Sequence, residues 1–381
     1  MTKDKKSKIQ YTDKRPDWVP ENAGDEFAAR VMIGVESGNP AIPGQTSEHQ
    51  APHSAAKNKL SVDDHVEGVL KDDRGILAQS ITLVESNSLK HIEKAQEVIK
   101  KILPHTGKSI RVGITGVPGV GKSTFIEVLG TDLCKKGHKV AVLAIDPSSA
   151  KTRGSILGDK TRMELLSREK NSFIRPSPSG GTLGGVTRKT RETIMLCEAA
   201  GFDVILIETV GVGQSEISVR SMVDFFMLLM LPGGGDELQG IKKGIMEMSD
   251  LLVINKAEED NFAIVTSTLQ NYKMALHYIQ SATEGWTTEV LKTSALNSVG
   301  IEEVWAKVLE FIETTKKSGI HEQRRKDQVV EWVMSMVENE LLQKFYNEPA
   351  VAALLPGIKE NVRSGKTPPT KAVREILEKF L

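Results

Sequence analysis

One run, Gly-Val-Pro-Gly-Val-Gly-Lys-Ser-Thr at 116 to 124, fits the spacing G-x-x-x-x-G-K-[ST] between an apolar stretch and a helix-forming one. Glycines 116, 119 and 121, with Val120 among them, permit a loop whose backbone N–H groups point inward. The helix after the loop adds its positive amino end, so phosphate oxygens are surrounded by donors. Lys122 supplies a point charge for the outer phosphates, Ser123 a hydroxyl for a bridging magnesium ion, and Thr124 closes the run. The chemistry implied is the binding and cleavage of a nucleotide's phosphate chain, with Lys122, Glu208 and Asp146 as its catalytic set.

Such a site also needs acids to hold the metal or its water. Three stand at or just beyond predicted strand ends: Asp146 in Ala-Ile-Asp-Pro, Asp159 in Gly-Asp-Lys-Thr, and Glu208 in Ile-Glu-Thr-Val-Gly. Glu208 fits best, because an acid that ends a buried strand before a glycine turn matches the second acidic element of nucleotide hydrolases. Asp146 and Asp159 also read as a turn former and a helix cap. Gly211 would offer its backbone N–H to the terminal phosphate, and hydrolysis would release its loop. Two further glycine-rich loops are expected at 177 to 185 and 232 to 244. Each also reads as an ordinary connection, but the second mixes Asp236, Gln239, Lys242 and Lys243 with its glycines, as a charged switch segment would.

These residues must be held by a scaffold. Between Ile110 and about Ile312, apolar strands alternate with amphipathic helices, the pattern of a parallel sheet covered on both faces. The strands expected are Ile-Arg-Val-Gly-Ile-Thr, Lys-Val-Ala-Val-Leu-Ala-Ile, Ser-Phe-Ile-Arg-Pro, Phe-Asp-Val-Ile-Leu-Ile-Glu, Asp-Phe-Phe-Met-Leu-Leu-Met, Leu-Leu-Val-Ile-Asn and Thr-Glu-Val-Leu-Lys-Thr-Ser. In such sheets ligands bind beyond the carboxyl ends of the strands, where Asp146 and Glu208 fall. The fold class expected is α/β, a P-loop NTPase with a mostly parallel sheet, flanked by amino-terminal helices and a helical carboxyl-terminal extension. Its divisions are a polar, disordered tail over 1–60, one or two helices over 61–104, the nucleotide domain over 105–318 and the extension over 319–381. In the extension Val330, Val333, Val337, Leu341 and Phe345 form an apolar stripe that needs a partner surface.

The whole chain has 381 residues, with 50 basic and 50 acidic side chains, so no net field draws it to nucleic acid or an anionic membrane. The longest apolar run, Phe225 to Leu231, is far too short to span a bilayer. Two distant cysteines, Cys134 and Cys197, suit packing in a reducing compartment, and the expected location is the cytoplasm.

The pattern resembles one family, the MeaB/ArgK-type or methylmalonic aciduria type A GTPases that accompany adenosylcobalamin-dependent acyl-CoA mutases. The likeness rests on five runs in family order: the phosphate run, Ala-Ile-Asp-Pro-Ser-Ser, Glu-Thr-Val-Gly-Val-Gly-Gln-Ser-Glu, the segment from Gly233 to Ala257, and the segment from Lys292 to Trp305, which begins Lys-Thr-Ser-Ala-Leu. The resemblance implies that Asp146, Asp159 and Glu208 surround a magnesium ion with Ser123. It implies that Asn255 and Lys256 shape a guanine pocket and that Ser294, Ala295 and Leu296 flank it, Ala295 donating its backbone N–H to the guanine carbonyl. It further implies a slow GTPase stimulated by a mutase partner, whose coupling runs through Asp236, Gln239, Lys242 and Lys243. Such a chaperone gates the delivery of adenosylcobalamin from an adenosyltransferase, forms homodimers through its extension, and holds no cobalamin permanently.

Where P-loop GTPases carry Asn-Lys-x-Asp, this chain has Asn-Lys-Ala-Glu, ending in Glu258. A carboxylate there accepts from the ring N–H and amine of guanine, whereas adenine presents an acceptor. Glu258 keeps both oxygens but reaches one methylene further, and Glu259 and Asp260 lie at the wrong spacing. Guanine is expected to be preferred, less strictly than by Asp. An ATP-using P-loop kinase and a nickel-type metal-insertion GTPase are the alternatives. The first lacks a use for the guanine elements, and the second usually carries histidine or cysteine clusters that this sequence does not show.

Overall fold

The computed structural model describes residues 60–146, 163–178, 183–209, 215–233 and 244–380. Contacts divide the chain after Lys59, and the elements of the fold all belong to the unit Leu60–Leu381. Asp159, Gly211, Asp236, Gln239, Lys242 and Lys243 lie outside the described residues, as does the amino-terminal tail.

Among the described residues, β1 (Ile110–Gly116), β2 (Val140–Asp146), β3 (Ser172–Pro178), β4 (Val204–Thr209), β5 (Phe225–Met230), β6 (Leu251–Ile254) and β7 (Glu289–Lys292) form one sheet. Its order is β3-β2-β4-β1-β5-β6-β7, and every ladder is parallel. The seven expected strands are these seven. A parallel sheet must be covered on both faces, which is why β5, buried at every position, reads as an unbroken apolar run.

One face packs against α4 (Lys122–Lys135), through Phe125, Ile126, Leu129 and Leu133, and against α9 (Ile301–Lys317), through Val304, Trp305, Val308 and Phe311. The opposite face is covered by α6 (Leu183–Ala199) and α7 (Ser215–Arg220). Over α6 lie α1 (Val62–Leu70), α2 (Arg74–Glu85) and α3 (Leu89–Ile102), three helices where the sequence suggested one or two. Polar caps separate them: Ser61 and Asp64 form a reciprocal capping box on α1, and Asp73 accepts two backbone N–H groups at the start of α2. The short α5 (Glu164–Arg168) precedes β3, and α8 (Phe262–His277) packs beside β5, β6 and β7. The loop expected over 177 to 185 is shorter than that, because β3 runs to Pro178 and α6 begins at Leu183.

The remaining chain is helical: α10 (Ile320–Asn347), α11 (Pro349–Arg363) and α12 (Pro369–Phe380). The base of α10 is bolted to the amino edge of the sheet. Arg325 donates to both carboxylate oxygens of the fully buried Asp224, at 2.8 and 2.7 Å, and Asp224 also accepts from the Arg111 N–H at 2.9 Å. Gln328 donates to the Val223 carbonyl at 2.8 Å. Further along α10, Val330, Val333, Val337 and Leu341 face outward from the chain, while Phe345 packs edge-on against Phe380 of α12.

Candidate functional site

β1 delivers the chain to the carboxyl edge of the sheet and α4 carries it back, so the loop between them opens where β1 and β4 end. Two of its glycines are demanded by geometry. Gly121, at φ +92°, precedes α4, and a Cβ there would lie 2.8 Å from the Asn255 amide nitrogen. Gly116, at φ +153°, runs so close to β5 that a Cβ would lie 2.4 Å from the Leu229 carbonyl. Gly119 also has positive φ, but opens onto space.

Lys122, the first residue of α4, turns back over this loop and donates to the Gly116 carbonyl at 2.9 Å and the Val117 carbonyl at 3.2 Å. Burial pushes its ammonium below the usual lysine range, and the negative charges of Glu208 and Glu216 oppose that shift. Ser123 donates its hydroxyl to Glu208 Oε1 at 2.9 Å, which brings together two residues that the sequence separates by 85 positions. Thr124 faces solvent and Val120 is buried. Asp146 ends β2, beside Pro178 of β3 in the register.

Beside the loop stands Asn255, which is 1 % exposed. Its amide donates to the Val120 carbonyl at 2.8 Å, and its oxygen accepts from the Thr293 hydroxyl at 3.2 Å and the Ala295 N–H at 3.1 Å. One side chain thus ties the phosphate loop to the segment after β7. The Ala295 amide, expected to face a base, is held by Asn255 in this structure. Lys256 adopts φ +60°, rare for a residue with a side chain, and its stem comes within 3.9 Å of a Cβ at Gly121. Glu258 starts a short 3₁₀ turn and is half-buried, its N–H bonded to Asn261 Oδ1 at 3.1 Å. It therefore belongs to a helix start, three residues after Asn255. Ser294 closes a small turn with Val299, and Leu296 projects from that turn into solvent.

Sequence reasoning missed two features. The first is a pair of buried hydroxyls at the ends of β1 and β4, where Thr209 donates to Thr115 Oγ1 at 2.7 Å and so links the strand before the phosphate loop to the strand that carries Glu208. The second is Glu216, in the first turn of α7 and 1 % exposed. An acid three residues before the apolar Val219, on a short helix covering a sheet, was the available signal.

A parallel sheet with a glycine-rich loop, a turned-back lysine and a serine–glutamate pair at its carboxyl edge defines a P-loop nucleotide hydrolase. The family described as Methylmalonyl Co-A mutase-associated GTPase MeaB matches residues 77–350. The chain belongs to that family, and it is a GTPase. It is 51% identical over 321 residues to a GTPase of Caulobacter vibrioides, covering 84% of this chain and 98% of that one. It is 41% identical over 375 residues to the mitochondrial methylmalonic aciduria type A homolog of Mus musculus, covering 96% and 90%. Among solved structures it is similar to an LAO/AO transport system kinase, with a TM-score of 0.69, 36% identity, and coverage of 85% of this chain and 99% of that chain.

Proposed function

We propose that the chain is a GTP-driven chaperone of an adenosylcobalamin-dependent acyl-CoA mutase of the methylmalonyl-CoA type. The observation that carries this reading is the match of a mutase-associated GTPase family over residues 77–350, which include the whole described nucleotide site. Nucleotide binding and hydrolysis gate cofactor loading from an adenosyltransferase and protect the mutase, the chain itself holding no cobalamin permanently. Asp236, Gln239, Lys242 and Lys243 couple nucleotide state to the mutase, and Gly211 meets the terminal phosphate. The divisions at 60, 104 and 318 mark the tail, the amino-terminal helices, the GTPase domain and the extension, and the protein works in the cytoplasm. Among the described residues, no helix is long and apolar enough to cross a membrane.

Ser123 and Glu208, hard oxygen donors 2.9 Å apart beside the phosphate loop, suit a magnesium ion. Asp146 and Asp159 would complete its surroundings. Bound there, magnesium would neutralise charge on the outer phosphates. Lys122 orients and balances those phosphates, and the loop amides hold them. Asn255 fixes the pocket in which Lys256, Glu258, Ser294, Ala295 and Leu296 meet guanine. The outward stripe on α10 suits a homodimer.

The test is a pull-down with an acyl-CoA mutase together with GTP turnover in its presence and absence. Binding and faster turnover are expected, and a mutase that neither binds nor stimulates removes the chaperone reading.

A further inference from the structure

Glu216 is a carboxylate buried beside a phosphate site, with no part in the proposed function. Its position comes from how α7 lies on the sheet. Gly113, in the middle of β1, has no side chain, and a Cβ there would meet Val219 Cγ1 at 2.9 Å, so α7 rests directly on β1 at that level. Val219 and Glu216 are three residues apart, on one face of the helix. α7 returns from the carboxyl end of β4 to the amino end of β5, so Glu216 lies one turn closer to the carboxyl edge than Val219. One turn is about 5 Å, which matches the rise of roughly two strand residues, from Gly113 to Thr115. Glu216 therefore sits at the level of the Thr115–Thr209 hydroxyl pair, under the start of the phosphate loop.

Glu208 approaches from the other side. It is level with Ile114 in the β1–β4 register and bonds Ser123 of α4, whereas Gly113 faces α7. Lys122 donates to the carbonyl of Gly116, the residue after Thr115, with Glu208 on the α4 side of the sheet and Glu216 on the α7 side, and the charges of both carboxylates act on it. Their roles differ, because Glu208 has Ser123 and the magnesium position beside it, whereas Glu216 is sealed on a helix behind the loop.

We propose that Glu216 is a second acid of the phosphate site, a positioning residue that acts through Lys122 and sets how strongly the protein prefers a triphosphate to a diphosphate. Its carboxylate offsets part of the Lys122 charge, and the cost falls most on the nucleotide with the greater charge at its outer end. GTP is thereby held less tightly relative to GDP than the loop alone would hold it, which favours exchange and limits the lifetime of the loaded state. The inference deepens the GTPase assignment and does not depend on the identity of a mutase.

The experiment measures the affinities of GDP and a non-hydrolysable GTP analogue, with magnesium, for the full chain and for Glu216→Gln, Glu216→Asp and Glu216→Asn. Glu216→Gln, nearly isosteric and neutral, is expected to raise the GTP-to-GDP affinity ratio about tenfold, the effect of a unit charge about 10 Å away at an effective dielectric constant of about 20. Glu216→Asp keeps the charge and stays within about threefold of the parent on the same estimate. If Glu216→Gln does not fold, Glu216→Asn against Glu216→Asp isolates the charge at equal reach, with the same direction expected. A ratio unchanged in the neutral variants overturns the proposal. So does a ratio that moves more in Glu216→Asp than in Glu216→Gln, because packing rather than charge would then be responsible. If no variant or parent binds GTP at all, the GTPase assignment fails, a different outcome from equal ratios.

Discussion

At the scale of single residues, the site is held by a few side chains with several partners each. Asn255 is the plainest case, since truncation would leave the Val120 carbonyl and the Ala295 N–H without their partner inside the protein. An unsatisfied buried group costs about 1–3 kcal/mol, so Asn255→Ala is expected to weaken GTP and GDP together by about tenfold or more and to lower the melting temperature. Calorimetric titration with both nucleotides checks this, and a selective loss of one would contradict the bridging role. Glu258→Asp is expected to tighten GTP and leave ATP weak, and equal ATP binding by the parent chain would defeat the guanine assignment. The phosphate run was legible in the sequence because its residues are contiguous and their spacing is dictated by the ligand. Glu216 was not, because its meaning depends on a glycine in another strand over which α7 can lie.

At the scale of elements, α7 is sensitive to small changes in the strand beneath it. A Cβ at Gly113 would meet Phe226 at 2.8 Å as well as Val219 at 2.9 Å. Gly113→Ala therefore overpacks the α7 face, with a loss of about 1–3 kcal/mol in urea unfolding. It is also expected to change GTP turnover, because the helix and Glu216 must shift together. Unchanged turnover at reduced stability would show that α7 position and catalysis are separable. The alternation of apolar strands and helices made all seven strands readable. The number of amino-terminal helices was harder to read, because the turns between them rest on local caps such as Ser61 and Asp73 rather than on long polar loops.

At the scale of the whole molecule, the extension is part of the GTPase core's own electrostatics. Burial alone would push the Asp224 carboxyl up, but the Arg325 guanidinium, with Arg111, holds it below the usual carboxylate range. A lowered folded value means that Asp224 contributes stability above its unfolded value near about 4, and that this stability is lost as the pH falls through the folded value. Arg325→Met removes the partner and leaves a buried charge, so it is expected to cost about 3 kcal/mol or more at neutral pH and to move acid unfolding to higher pH. Circular dichroism across a pH range of about 2 to 7 tests both, and an acid midpoint that does not move would contradict the clamp. No reading of local pattern could have paired these two residues, which are 101 positions apart.

That separation matters for biosynthesis. On a ribosome Asp224 emerges 101 residues before Arg325, and at about 5 to 20 residues per second the interval is roughly 5 to 20 seconds. Throughout it, Asp224 waits at the sheet edge without its guanidinium. Until Arg325 arrives, Asp224 has only Arg111 of β1 to offset its burial, and the clamp that joins the sheet edge to α10 closes last.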